Sequence, residues 1–340
     1  MSTRLTVPAL CREARRRGIA ASNRALSTSG STLKHLTVSH RSTYRYAEEV
    51  SFGPHRMMLR PRDSHEMRLI SASITTSLPA ELIWTYDVFG NVICTAHFEG
   101  RSNELTIESY LDIERFASAV PKLFDRGTEV PYPVAYSPDE LLDLGARLNP
   151  PPERLNLELE AWAVEAPQRH PGGAIALLTG LCEEMRATFS YETRFAQSTQ
   201  HPNETFALRS GACRDFAALF IAVARRLGFG ARFVSGYLFD PPQDPTLLRG
   251  VGATHAWAEI YLPNIGWIEF DPTNGLFESD RLIQVAQVRE PHQAQPIAGS
   301  FIGSPGAYIG LWVGVDVDYA PGDEPEAMIT GAFDAEPEEV

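Results

Sequence analysis

From Leu36 to about Arg115 the sequence alternates apolar and polar residues in short runs, "LTVSHRSTYRY", "RLISASITTSL", "NVICTAHF" and "LTIESYLDI", broken by turn signals at Pro54, Pro79 and Gly90-Asn91. A period of two places one face of each run on a core and the other toward water, which predicts a mostly antiparallel β domain over residues 33–115. The pattern then changes. Prolines cluster at Pro121, Pro131, Pro133, Pro138 and Pro150 to Pro152, marking a connector over 116–155. Within it, Ser137-Pro138-Asp139-Glu140 before "LLDLGARL" supplies an N-cap, a proline at the first helical position and early acids, so a short helix is expected there.

Beyond the connector the order is helices first and strands after. In "GGAIALLTGLCEEMRATF" the residues Ile175, Leu178, Leu181, Cys182 and Met185 fall at helical spacing, which makes Cys182 a core residue. A second helix is predicted from Cys213 to Leu227, closed by Gly228 and Gly230. Strand signals follow at "ARFVSGYLF", "HAWAEIYL", "GWIEFD" and "AYIGLWVGVDVDY". The expected class is therefore α+β, an N-terminal antiparallel β domain followed by a core of helices packed on an antiparallel sheet over 156–319.

The ends of the chain differ in charge. Residues 1–32 carry six arginines, from Arg4 to Arg24, against the single acid Glu13, and lack the apolar segment of a secretory signal. A disordered basic extension is expected; an organelle transit peptide or a start codon placed too far upstream are the alternatives. Residues 320–340 hold Asp323, Glu324, Glu326, Asp334, Glu336, Glu338 and Glu339 and no base, which predicts a solvated acidic tail. The whole chain, 340 residues at a formal net charge of −13, argues against function by neutralising nucleic-acid phosphates or an anionic membrane surface. No apolar run approaches the roughly 20 residues that span a bilayer. Four cysteines lie far apart with no CxxC pair, as suits a reducing compartment.

Chemistry concentrates around "GACRDFA". Only the thiolate of a cysteine is nucleophilic, and a helix N-terminus favours it through unpaired N–H groups and the positive end of the dipole. Cys213 stands where the second helix begins, and Gly211-Ala212 lets the backbone approach closely. Those same N–H groups can hold an oxyanion. A second donor for that charge is not identified, with "YETRFAQSTQ" the candidate region.

A nucleophile also needs a base and a group that orients it. In "HAWAEIYL", Ala256, Ala258, Ile260 and Leu262 form one face and His255, Trp257, Glu259 and Tyr261 the other. Pro263-Asn264-Ile265-Gly266 reads as a turn, and "WIEFD" returns along the neighbouring strand. The reversal brings Asp271 back near His255, where it can hold one imidazole nitrogen and set the tautomer facing the sulfur.

These blocks, "GACRDFAALFIAVARRLGFGARFVSGY" and "THAWAEIYLPNIGWIEFDPTN", resemble the Cys, His and Asp blocks of the bacterial transglutaminase-like superfamily, whose core is papain-like in fold. Upstream, "HRSTYRYAEEVSFGPHRMMLRPRD" and "YDVFGN" resemble the β-rich region that accompanies that core in bacterial members. The resemblance implies Cys213 as nucleophile, His255 as general base and Asp271 as orienting acid. It implies attack on an amide carbonyl of a peptide or protein to give a thioester. Water would then make a peptidase or amidase, the preferred reading, and an amine a protein-glutamine transglutaminase. No cofactor and no metal are implied, and bacterial relatives suggest the cytoplasm. The match weakens after Gly275, where "QVREPHQAQP" replaces the expected Gly-Arg-Asp-type element, and "PPQDPTLLRGVG" over Asp240 to Gly252 is the segment expected to carry specificity.

Blander readings stand beside these. Asp215 suits the first turn of a helix, and its charge would oppose a thiolate, so it reads as structural. Trp257 and Tyr237 are more simply core than cleft. Asp271 before Pro272 could close a strand with an Asx turn. Zinc ligation is a rival for the trio, yet zinc sites favour close ligand pairs and there are none. A binding or scaffold protein that keeps the fold without activity is the alternative from a different class.

Overall fold

The computed structural model of the chain describes residues 33–116, 130–150, 154–194, 198–241 and 248–321. The basic extension, most of the acidic tail and much of the proline-rich connector lie outside these residues. Along the chain come β1 (Lys34–Phe52), β2 (His55–Met57), β3 (Met67–Thr76), β4 (Ala80–Tyr86), β5 (Val92–Phe98), β6 (Arg101–Arg115), α1 (Pro138–Leu144), α2 (Leu157–Arg169), α3 (Ala174–Thr188), β7 (Ser190–Tyr191), α4 (Pro202–Leu208), β8 (Ser210–Gly211) and α5 (Cys213–Arg226). The remaining strands are β9 (Gly230–Leu238), β10 (His255–Leu262), β11 (Gly266–Asp271), β12 (Leu276–Phe277), β13 (Leu282–Val288), β14 (Ile297–Ala298), β15 (Phe301–Ile302) and β16 (Tyr308–Tyr319).

The alternating N-terminal runs form two antiparallel sheets. One has the order β15-β1-β6-β3 with β16 also on β1, the other β14-β2-β5-β4. Tyr46, Val50, Phe52, Met57, Cys94, Ala96, Leu105 and Ile107 fill one core of this region. Strands β1 and β6 are long enough to reach past it. Their far ends, Leu36, Val38, Leu111 and Ile113, pack against Tyr237, Phe239, Ile283 and Val285 of the second sheet. Between the two cores the same strands bury His40, Ser42 and Ser109.

The second sheet has the order β12-β11-β10-β9-β13, all antiparallel. Helix α5 packs on it through Phe216, Phe220 and Val223 against Phe233, Ala256, Ala258, Ile260 and Phe270. The ring centroids of Phe220 and Phe270 are 5.7 Å apart. Edge strand β13 is covered by the N-terminal region: Asn91 donates to the Gln287 carbonyl at 2.8 Å and accepts the Gln287 N–H at 2.9 Å, imitating a strand neighbour. Among the described residues no helix is long and apolar enough to cross a membrane.

The architecture is the expected α+β arrangement, with three departures in detail. The strand over 308–319, assigned with the core from its position in the sequence, pairs instead with β1 along Leu36 to Tyr46. Alternation specifies a strand but not its partner. Helices α2 and α4 carried no clear sequence signal; α2 contains Pro167, and α4 has only seven residues. The faces of β10 are not inner and outer, since every residue of the strand except Tyr261 is buried.

His40 lies at the seam between the two regions, with Nδ1 3.0 Å from the Tyr237 hydroxyl and Nε2 3.0 Å from Ser42 Oγ. Burial lowers its pKa to about 4, so the folded protein keeps it neutral where an unfolded histidine, near 6.5, takes up a proton. Its contribution to stability is complete above pH 6.5 and is lost as pH falls toward 4. Urea midpoints measured from pH 7 to 4 should reveal a loss of roughly 1–3 kcal/mol that is absent in His40→Gln.

Candidate active site

Helix α5 starts abruptly. Its N-cap residue, Ala212, has no side-chain acceptor, and the Asp215 carboxylate reaches back to the Ala212 N–H at 2.8 Å. The fully buried carboxylate of Asp215 also accepts the Gln200 N–H at 2.8 Å and two contacts from Arg194 Nη1, each 2.8 Å. It thereby fastens the loop after β7 to the head of the helix. The structural role expected for Asp215 matches this geometry. A Cβ at Gly211 would lie 2.9 Å from the Asp215 Cβ, so only glycine permits the approach.

Strands β10 and β11 run antiparallel with Ala258 opposite Phe270. One step further along, Trp257 faces Asp271, which leaves His255 diagonal to the carboxylate on the same face. The imidazole Nε2 lies 2.8 Å from Asp271 Oδ2, and both side chains are fully buried. Asp271 Oδ1 accepts the Thr273 N–H at 2.9 Å, and Oδ2 accepts the Asn274 side chain at 2.8 Å. The Asx turn and the contact with His255 therefore coexist in one carboxylate.

Asn274 was not singled out in the sequence. Its side chain also accepts the Arg249 N–H at 2.7 Å and donates to the Arg249 carbonyl at 3.2 Å, tying the loop before β10 to Asp271. An asparagine three residues past a strand-end acid gives little warning of such a role.

The second imidazole nitrogen, Nδ1, is buried, and the Cys213 side chain beside the ring acts on it by hydrogen bonding and by charge. Burial alone would lower the His255 pKa. The Asp271 carboxylate, then Cys213, outweigh it and raise the pKa from 6.5 to about 10. Burial likewise opposes ionisation of Asp271, and His255, Asn274 and Thr273 overcome it, leaving its pKa below the ordinary value. The structure thus brings Cys213, His255 and Asp271 to one place. A thiol beside a proton-hungry imidazole can deliver a sulfur nucleophile and retain the proton for a leaving group.

Cys213, 9% exposed, opens on a cleft of about 740 Å³. Arg214, Thr254 and His255 supply polar lining, and Ile221, Ala222 and Phe233 apolar lining. Glu290, Pro291, His292, Gln295 and Pro296 also line it, so the segment that departs from the expected pattern after Gly275 contributes to the cleft. Trp257 and Tyr237 do not line it. Trp257 is buried, lies 6.1 Å from the His255 ring at 27°, and donates to Glu269 at 3.2 Å. Of the expected specificity loop, residues 242–247 lie outside the described residues.

The model of the transglutaminase-like superfamily matches residues 166–272, and that of the bacterial transglutaminase-like N-terminal region matches 36–114. The uncharacterized protein Rv2569c of Mycobacterium tuberculosis is 30% identical over 275 residues, 77% of this chain and 86% of that one. The uncharacterized protein ML0607 of Mycobacterium leprae is 26% identical over 295 residues, 79% and 93% of the two chains. Among solved structures, a Cytophaga hutchinsonii protein described as a candidate cysteine protease shares the fold, with a TM-score of 0.62 at 18% identity over 86% of this chain and 94% of that one.

Two measurements probe the site. In ¹⁵N-histidine NMR spectra His255 should carry both ring protons at pH 8 and lose one only near pH 10, whereas in Asp271→Asn burial prevails and the ring should be neutral at pH 7. The stability this pair contributes is complete below pH 6.5 and is lost as pH rises through about 10. Asp215→Asn should cost about 2–4 kcal/mol in denaturant unfolding by leaving Arg194 without its partner, and adding Arg194→Gln should restore part of it.

Proposed function

Because the chain belongs to the transglutaminase-like superfamily, we propose that it is a cysteine-dependent acyl-transfer enzyme that opens amide bonds through a thioester. The observation that carries this reading is the buried His255, held through Nε2 by the buried Asp271 with Nδ1 left to the Cys213 side. Cys213 is the nucleophile, His255 the base and Asp271 the orienting acid.

The steps follow from the geometry. The proton shared by the thiol and the imidazole rests on His255, and the sulfur adds to the amide carbonyl carbon. The raised proton affinity of His255 stabilises the resulting imidazolium, and N–H groups at the head of α5 face the developing oxyanion. Collapse breaks the carbon–nitrogen bond, His255 gives its proton to the departing amine, and a thioester remains. Water deprotonated by the same imidazole then releases the acid. Asp271 keeps its charge throughout, because its role is to hold the ring and stabilise its cationic form.

Hydrolysis of a peptide or protein amide is the preferred outcome, in keeping with the description of the Cytophaga relative. Transfer to an amine is the other outcome the same thioester permits. Neither nucleic acid nor a membrane is a partner in this reading, consistent with a net charge of −13. Free thiols at Cys94, Cys182 and Cys213 favour a reducing compartment, and a cytoplasmic location belongs to the same reading.

The test is to present peptide and glutamine-amide libraries with and without a primary amine and follow products by mass. Hydrolysis adds water to the substrate; transfer exchanges ammonia for the amine. Cys213→Ala should abolish both, and Asp271→Asn should slow turnover by about 10²–10⁴-fold. Unchanged turnover in folded Cys213→Ala would sink the reading.

A further inference from the structure

The triad leaves one side chain beside it without a role. Tyr191 ends β7, whose parallel pairing with β8 sets it opposite Gly211, two residues before Cys213. Backbone bonds from Ser190 to Arg209 at 2.8 Å and from Glu192 to Gly211 at 2.9 Å hold it there. On the other side lies Gly250, at φ +85°. A Cβ on Gly250 would stand 3.2 Å from His255 Nδ1 and 3.3 Å from the Tyr191 hydroxyl. One point in space is therefore in contact with both atoms, and the lack of a side chain at residue 250 keeps it open. Asn274 steadies this wall by bonding both backbone groups of Arg249.

The phenol is also electrostatically tied to the nucleophile. Burial, and next the Cys213 sulfur, push the Tyr191 pKa up to about 12, so the hydroxyl keeps its proton through the neutral range. A hydrogen bond with the Thr193 side chain offsets part of that rise.

We propose that Tyr191 is a catalytic residue, whose hydroxyl donates a hydrogen bond to the oxygen that becomes an anion when Cys213 adds to a carbonyl. The inference rests on the thiol acyl-transfer reading above. As the S–C bond forms, the carbonyl π pair moves onto oxygen; as the tetrahedral species collapses, that pair re-forms C=O and the leaving group departs with its own bonding pair. The Tyr191 proton is shared and never transferred. The backbone N–H groups of Cys213 and Arg214, which precede the first hydrogen bonds of α5 from Asp215 and Phe216 to the Ala212 carbonyl, supply the complementary donors.

Two reagents separate this role from a structural one. p-Nitrophenyl acetate acylates Cys213 through an oxyanion, while iodoacetamide alkylates it by displacement at a saturated carbon, with no oxyanion. Both rates are read at Cys213 by peptide mass spectrometry on the full chain at pH 7.5. Tyr191→Phe should slow acylation about 100-fold and leave alkylation within about threefold of wild type. Acylation that stays near the wild-type rate, or an equal loss in both reactions, overturns the proposal, the second outcome assigning Tyr191 to the thiol or the fold. If wild-type Cys213 takes up neither reagent, the acyl-transfer reading itself fails and this inference falls with it.

Discussion

The contact between α5 and the β9–β10–β11 surface sets the geometry of everything else. Ala217 and Ala224 on the helix share one core with Ala256 and Ala258 on the strand, and such small side chains let the two elements lie close. The larger Phe216 and Phe220 fix the helix along its length. Because Cys213 is the first residue of that helix and His255 the first of β10, packing elsewhere along both elements decides the distance between their ends. Arg225 secures the opposite end, donating to the Ala231 and Arg289 carbonyls and to Glu290. The site is thus positioned by a core built from other residues, as precise placement of reactive groups requires.

Two buried aspartates illustrate how surroundings assign roles to one residue type. Asp215 is satisfied by an arginine and two backbone N–H groups, which are permanent donors, so it acts as a fixed strut. Asp271 is satisfied by an imidazole, an amide side chain and backbone, and the imidazole alone among these can hand its proton to a reacting group. The charge of Asp271 is therefore coupled to the proton on His255 and that of Asp215 to structure. Neither carboxylate reaches solvent, which keeps both fields strong.

The N-terminal region is part of the same construction. Long strands β1 and β6 span from their own core to the second sheet, and Asn91 occupies the edge of β13. After β13 the chain turns back through Pro291–Ala294 to pair β14 with β2, and that return forms one side of the cleft. The cleft is consequently shaped by both regions, although its reactive groups come from one.

Much of this was legible in the residues themselves. Alternation at period two announced the β region, helical spacing announced α3 and α5, and the turn over Pro263 to Gly266 placed Asp271 beside His255, because each signal depends on neighbours within a few residues. The features that escaped depend on contacts distant in sequence. Residues 308–319 read as a strand, but only the free edge of β1 determined where it went. His255, Trp257 and Glu259 alternate correctly, yet their face is buried because other segments cover it. Asn274 and Tyr191 acquire meaning from Arg249 and Gly250, on a loop that local pattern does not describe. The sequence by itself determined most of the element types, the α+β class and which sulfur, imidazole and carboxylate are candidates to meet, since these follow from short-range periodicity and side-chain chemistry. Tertiary structure alone decided which imidazole nitrogen faces the sulfur, which carboxylate is a strut and what walls the cleft, since those depend on burial and on partners tens to hundreds of residues away.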